Sequence, residues 1–178
     1  GGVSLFGLQI AKLHGARTII TSSSDEKLAR ATALGADATI NYATENLKDR
    51  AKELTGGDGV DVIYDCVGGD YAEAALRAVA WEGRFLVIGF TAGIPAIPLN
   101  LTLLKSCQIV GVFFGAMTAR DPELRDAVMG ELIELTAETR PRGLERRELR
   151  VQEPELGGDL PALVATGRAK GDLQVLPR

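Results

Sequence analysis

A serine-rich turn followed by a lysine is the clearest sign of chemistry in this sequence. The β-branched run Thr18–Thr21 leads into Ser22-Ser23-Ser24, and Lys27 follows in the first turn of the next predicted helix. A lysine there opposes the helix macrodipole at a cost of about 0.3–1 kcal/mol, which a bound anion would offset. Domains specific for NAD end this strand with an acid that binds the ribose 2′-hydroxyl, whereas this strand ends in serines. We therefore expect Ser23 and Lys27 to bind a phosphate on the ribose 2′-oxygen.

Each of these residues also has a structural alternative. Ser23 and Glu26 fit a capping box, in which both side chains close the first turn of the helix. Lys27 could be a solvated surface lysine. Tyr42, just past the next strand, could offer its hydroxyl to the phosphate and its ring to an adenine, or it could pack at the strand end. The residue types alone do not decide between phosphate binding and these structural roles.

A glycine pair, Gly1 and Gly2, precedes the first predicted helix. A glycine turn of this kind brings backbone N–H groups and the positive end of the helix dipole to a phosphate. The run Gly1–Gly7 lacks the full G-x-G-x-x-G fingerprint, so an ordinary flexible N-terminus is the alternative. Together with the serine turn, it predicts a dinucleotide site.

Composition and charge exclude several other classes of function. A net charge of −4 and a pI near 5.1 leave no broad cationic surface for nucleic acid. The two cysteines, Cys66 and Cys107, are far apart in apolar surroundings and offer neither a disulfide framework nor metal-ligand spacing. No apolar run is long enough to span a bilayer, and no leader peptide is recognisable. We expect a cytoplasmic protein without a zinc site.

Short β-branched runs alternate with helical patterns, which predicts a doubly wound, Rossmann-type parallel sheet of the α/β class. The predicted strands are Thr18–Thr21, Thr39–Asn41, Val60–Tyr64, Phe85–Ile88 and Gln108–Phe113. The predicted helices are Leu5–His14, Asp25–Leu34, Leu47–Leu54, Tyr71–Ala80 and Pro122–Ala137. Gly15 and Gly35 are placed to end the first two helices.

Both ends of the sequence depart from this pattern. No strand precedes Gly1, so we expect an N-terminal truncation at the first strand and a gap in the middle of the sheet. Residues 1–139 are the predicted nucleotide-binding domain, and residues 140–178 a degenerate linker and return segment. The linker is polar between Arg140 and Asp159, and a last short strand is predicted at Leu173–Leu176.

Collinear motifs along the chain resemble the quinone oxidoreductase (zeta-crystallin-like) branch of the medium-chain dehydrogenase/reductases. They are Gly1-Gly2-Val3, Gln9–Lys12, Ser23–Leu28, Leu34–Asp37, Ile40–Tyr42, Glu53–Gly57, Tyr64–Gly69, Val87–Phe90 and Val112–Gly115. The resemblance covers Gly1 to about Ala137. It implies a zinc-independent, NADPH-dependent reductase of quinones or other α,β-unsaturated carbonyl compounds. It also implies that an N-terminal substrate domain is missing from this sequence.

The same resemblance assigns roles to individual residues. Ser23, Lys27 and Tyr42 would hold the 2′-phosphate, where Arg168 could join them. Other matched residues belong to the phosphate turn or line the ribose and nicotinamide end; they are Gly1, Gly2, Val3, Val67, Gly89, Phe90, Thr91, Phe113, Phe114 and Gly115. Ser4 stands where the family usually has its third fingerprint glycine, so we expect altered cofactor seating and weaker binding.

Three functions remain open at this stage. The first is the reductase, which needs no acid or base from this chain for hydride transfer. The second is a non-catalytic dinucleotide-binding fragment or sensor. The third is the cofactor domain of an enoyl-thioester reductase. We also expect a homodimer, because Gln108–Phe113 is too apolar for an unprotected edge strand and because the family pairs through the matching strand.

Overall fold

The computed structural model of the protein describes residues 2–138 and 162–166, which fall into two compact units. The first unit, described over 2–112 and 162–166, contains the sheet. Its elements in chain order are α1 (Gly2–Leu13), β1 (Arg17–Ser22), α2 (Asp25–Ala33), β2 (Ala38–Asn41), α3 (Leu47–Leu54), β3 (Val60–Asp65), α4 (Tyr71–Ala78), β4 (Val79–Val87), α5 (Asn100–Lys105), β5 (Gln108–Gly111) and β6 (Ala162–Thr166). The second unit, described over 113–138, contains α6 (Phe114–Arg120) and α7 (Pro122–Glu138).

Within the described residues, the sheet has six strands in the order β2-β1-β6-β3-β4-β5. Strands β1 and β2 pair in parallel, as do β3 with β4 and β4 with β5. Successive residues of a strand point to opposite faces. Accordingly, Ile19 packs with Ile63 and Leu76 on one face, while Ile20 packs with Leu8 on the other. The predicted α/β class, with helices on both faces, is confirmed.

Strand β6 corrects the expectation of a gap in the sheet. It lies between β1 and β3 and pairs antiparallel with both, with Ile19 opposite Val164 and Ile63 also opposite Val164. Two facing rows of unpaired backbone N–H and C=O groups would be costly to bury, so a short apolar segment that satisfies both rows is strongly favoured there. The predicted strand Leu173–Leu176 lies outside the described residues.

The helix ends agree with the glycine positions. Gly15 and Gly35 both have positive φ, 73° and 95°, a conformation that suits glycine just beyond a helix. The chain turns at each glycine, and the N–H groups of Ala16 and Ala36 bond back to carbonyls of the preceding helix. The predicted helix stops are therefore confirmed.

An ion pair ties α1 to the neighbouring strands. Lys12 Nζ lies 2.8 Å from Asp37 Oδ1, and the same carboxylate accepts hydrogen bonds from the backbone N–H and the hydroxyl of Thr18. Burial alone would raise the pKa of Asp37, but the bonds from Lys12 and Thr18 outweigh it and lower the pKa. This contact fixes α1 beside β1, with its N-terminus at the carboxyl end of the sheet.

Four elements differ from the predicted ones. Helices α5 and α6 were not predicted, because each is under two turns long and shows little periodicity. Strand β5 ends at Gly111, and Phe113 instead precedes α6. Strand β4 begins at Val79, directly after α4, with an irregular pairing to β3 near Val60.

Helix α7, predicted as Pro122–Ala137, carries an apolar stripe along one side. Leu124, Val128, Leu132 and Leu135 are half-buried, while the intervening residues from Asp121 to Glu134 are exposed. The predicted domain boundary at residue 139 stays a prediction.

Candidate cofactor site at the carboxyl edge of the sheet

Four loops meet at the edge where the parallel strands end. Ser22 ends β1, Asn41 ends β2, Asp65 ends β3 and Val87 ends β4. The register places Ser22 opposite Asn41, and Asp65 opposite Val87. Ligands of open parallel sheets bind at this edge, so the candidate site is built from these four strand ends and from the helices that follow them.

The turn from β1 into α2 is capped by Ser24. The Ser24 hydroxyl accepts a hydrogen bond from the Lys27 N–H at 3.4 Å, and the Ser24 N–H donates to Ser22 Oγ at 3.2 Å. The alternative in which Ser23 caps this helix is therefore wrong, because the capping residue is Ser24, the next residue along the chain. Lys27 lies in the first turn of α2 as predicted, and both Ser23 and Lys27 are half-buried.

Tyr42 is held against the end of β1. Its backbone N–H donates to the Ser22 carbonyl at 3.1 Å, and its ring lies 4.5 Å from the ring of Tyr71, tilted by 45°. Both rings line a small apolar pocket together with Thr21, Leu47, Ile63, Asp65, Val67 and Ala75. The packing role weighed for Tyr42 is thus present, and contact of its hydroxyl with a phosphate stays a prediction.

Asp65 shapes the loop that follows β3. It is 5% exposed, and its Oδ1 accepts hydrogen bonds from the N–H groups of Val67 and Gly68 at 2.8 and 3.0 Å. This is the structural role expected for a carboxylate at a strand end. Val67 is itself 2% exposed, and its carbonyl accepts a bond from Ala92. Both the N–H and the carbonyl of Val67 are therefore hydrogen-bonded within the loops.

The loop after β4 is bonded along its length to the loop after β3. Gly89 N–H donates to the Asp65 carbonyl, and the Thr91 hydroxyl donates to the Cys66 carbonyl at 3.3 Å. Gly69 N–H in turn donates to the Gly93 carbonyl at 2.8 Å. Phe90, 48% exposed, is presented by this loop. The structure thus brings Val67, Gly89, Phe90 and Thr91 together.

The first turn of α1 packs against the same loop. Ser4 is 1% exposed, and its hydroxyl is hydrogen-bonded to the Cys66 thiol. Burial raises the pKa of Cys66, which keeps the thiol neutral. A serine at this position is therefore accommodated by a polar partner. Gly2 and Val3 are exposed at the start of the helix, with Val3 54% exposed.

The remaining predicted site residues fall elsewhere. Phe113, Phe114 and Gly115 belong to the second unit, where Phe113 is 78% exposed at the start of α6. Gly1 and Arg168 lie outside the described residues. The roles expected for these five residues stay predictions.

Asn41 is a site residue that the sequence analysis did not identify as such. Its side-chain amide donates to Asp25 Oδ1 at 2.6 Å and so joins the end of β2 to the start of α2. An asparagine that ends a strand and begins a turn is a recognisable signal, because its side chain often bonds to the backbone two residues on. Here its Oδ1 accepts from the Ala43 N–H at 3.0 Å.

Among residues 2–138 and 162–166, the His, Cys, Asp and Glu side chains form no group of three or more that could hold a metal ion. Within the same ranges, none of the helices has both the length and the apolar character that crossing a bilayer requires.

Comparison with known proteins assigns the chain to a family. Residues 2–132 match the family model described as zinc-binding dehydrogenase. The quinone oxidoreductase-like protein 2 homolog of Nematostella vectensis is 43% identical over 126 residues, which are 70% of this chain and 34% of that protein. The chain thus spans about a third of that relative.

Solved structures support the same assignment. Escherichia coli quinone oxidoreductase complexed with NADPH superposes with a TM-score of 0.69 at 34% identity, covering 78% of this chain and 43% of that one. The nucleotide-binding subdomain of the enoylreductase domain of PpsC from Mycobacterium tuberculosis gives a TM-score of 0.67 at 26% identity, with 78% of both chains covered. The chain belongs to the zinc-binding dehydrogenase family and resembles the cofactor-binding half of its quinone oxidoreductases.

Proposed function

We propose that the chain is the NADPH-binding part of a zinc-independent reductase of quinones or other α,β-unsaturated carbonyl compounds. The observation that carries the proposal is the end of β1, where Thr21 and Ser22 stand in place of an acid and lead into the Ser24-capped helix that bears Lys27. An acid at this strand end would repel a 2′-phosphate, whereas hydroxyl groups and an ammonium group suit one. The similarity to an NADPH complex of quinone oxidoreductase supports the same choice of cofactor.

The residues present fit such a cofactor at both of its phosphate regions. Ser23, Lys27 and Tyr42 come from segments joined by the bonds to Ser22, and they would hold the 2′-phosphate. The first turn of α1 begins with Gly2 and contains only uncharged side chains, so its N–H groups would face the pyrophosphate. The loop Gly89–Thr91 would border the ribose and nicotinamide.

When bound, the cofactor supplies the hydride, so this chain's contribution is binding, orientation and exclusion of water. The loops after β3 and β4 are fixed to each other by backbone hydrogen bonds, which provides a rigid wall for that purpose. Zinc independence is part of the proposal. It is supported by Cys66 and Cys107, which are both buried, at 6% and 8% exposure, one directly after β3 and the other directly before β5.

An enoyl-thioester reductase is the second candidate, supported by the similarity to the enoylreductase subdomain. The two are separated by assaying the full-length protein that contains this chain with a panel of quinones and of enoyl thioesters. We expect NADPH-dependent reduction of quinones at a kcat/KM at least about tenfold above that for thioesters, a difference of about 1.4 kcal/mol in transition-state stabilisation. The reverse preference would favour the second candidate. Cofactor binding without turnover of either class would favour a non-catalytic module.

We also propose that two copies pair through β5. This strand ends the sheet, and Ile109 and Val110 are half-buried between exposed Gln108 and Gly111. Leu103 and Leu104 on the preceding helix are apolar too, and they are 81% and 65% exposed. Unprotected apolar edges invite pairing with a second chain.

Sedimentation analysis tests the proposed pairing. We expect a dimer for the unaltered protein and a monomer for Val110→Lys, because a charge on the edge disfavours strand addition. Met129→Lys, on α7, is the matched control and should leave the dimer intact. A dimer that persists in Val110→Lys would exclude this edge as the interface.

A further inference from the structure

Asn41 makes an unusually complete set of hydrogen bonds at the end of β2. It is 9% exposed, and its backbone N–H donates to Glu45 Oε1 at 2.8 Å. Its side-chain Oδ1 accepts from the Ala43 N–H, which leaves Nδ2 to donate to Asp25 Oδ1 at 2.6 Å. The amide is thus oriented by its own turn and directed at one carboxylate.

Asp25 occupies a sensitive position. It is the first residue of α2, directly after the capping residue Ser24 and two residues before Lys27. A carboxylate in the first turn of a helix is attracted to the same N–H groups and positive dipole that attract a phosphate. An Asp25 side chain without its partner would therefore compete with a 2′-phosphate and repel it. The bond from Asn41 draws the carboxylate to the end of β2.

We propose that Asn41 is a positioning residue for cofactor specificity, which favours a 2′-phosphate by holding the Asp25 carboxylate at the end of β2. The inference rests on the proposed function and deepens it. It adds a residue that acts through charge placement and makes no contact with the cofactor of its own. Ser23, Lys27 and Tyr42 would attract the phosphate. Asn41 would keep the Asp25 carboxylate from competing with it.

The test measures binding of two probes that differ only in the 2′-phosphate, adenosine 2′,5′-bisphosphate and adenosine 5′-monophosphate, by calorimetric titration of the full chain. In Asn41→Ala we expect the preference for the bisphosphate to fall about fivefold, the effect of one unit charge about 4 Å away in water. Affinity for the monophosphate should stay within twofold. In the double variant Asn41→Ala with Asp25→Asn, the preference should return to that of the unaltered chain.

Asn46→Ala is the matched control. The side chain of Asn46 also makes a hydrogen bond at the start of a helix. It caps α3 by accepting from the Asp49 N–H at 3.1 Å. Its loss should leave the preference unchanged. Equal weakening of both probes in Asn41→Ala, or no recovery in the double variant, would show that Asn41 acts only on local structure and would overturn the inference.

Two further outcomes keep the test decisive. If the unaltered chain binds both probes equally, the proposed 2′-phosphate site fails, and the inference fails with it. If Asn41→Ala does not fold, the single variant Asp25→Asn, which retains Asn41, tests the inference. We expect its preference to change less than twofold, because the carboxylate is already held aside. A fivefold rise would show that Asp25 repels the phosphate despite Asn41.

Discussion

Replacing Val164 by proline should abolish the cooperative unfolding transition of this chain. Val164 is the middle residue of β6 and pairs with both Ile19 and Ile63. Proline removes a backbone donor, so it breaks a ladder hydrogen bond and is essentially confined to edge strands and bulges, whereas β6 lies in the middle of the sheet. Domains of this size have about 5–15 kcal/mol of stability in total, and losing β6 would expose both of its neighbours.

Thermal unfolding followed by circular dichroism checks this expectation. Val164→Ala is the matched control, because it keeps every backbone hydrogen bond of the strand, and it should melt cooperatively with only a modestly lower Tm. A variant Val164→Pro that melts as sharply as the unaltered chain would show that β6 does not hold the two halves of the sheet together.

Replacing Lys27 by alanine should weaken NADPH binding at least about tenfold while changing NADH binding less than twofold. A charge-assisted hydrogen bond is worth about 1.5–3 kcal/mol, and only NADPH carries the phosphate that would receive it. Fluorescence titration of each reduced cofactor into the full-length protein provides the two dissociation constants.

Lys48→Ala is the control for this experiment. Lys48 also lies in the first turn of a helix, α3, where it forms an ion pair with Asp49 at 2.9 Å. Its removal should leave both dissociation constants unchanged. Parallel losses for NADPH and NADH in Lys27→Ala would indicate that Lys27 supports the fold of α2 and does not contact the 2′-phosphate.

Local patterns predicted most of the first unit. Strands β1, β2 and β3 and helices α2, α3 and α4 follow their predicted ranges to within a few residues, because each has a clear period and a glycine or polar residue at its end. The serine cap was displaced by one position, from Ser23 to Ser24. The first residue of a helix can depend on a single capping hydrogen bond. In a run of three serines, the residue types do not show which serine makes that bond.

Two features that escaped prediction depend on contacts distant in sequence. Ala162–Thr166 is too short and too weakly patterned to be recognised as a strand, and its place is determined by the two strands that flank it. The pairing of Asn41 with Asp25 likewise needs β2 to lie beside β1. The sequence could identify Ser23, Lys27 and Tyr42 as candidates because their residue types are informative on their own.

The position of β6 also determines when the sheet can form. Arg17 pairs with Thr166, so β1 is completed by a strand that is synthesised after β2, β3, β4 and β5. Pairing across such long loops is slow, and incomplete intermediates expose strand edges that promote aggregation. Before β6 is synthesised, the pair β1 and β2 and the group β3, β4 and β5 lack the strand that joins them in this sheet. Through β6 they can join only after residue 166 has left the ribosome, so the backbone hydrogen bonds that β6 makes to β1 and β3 form late.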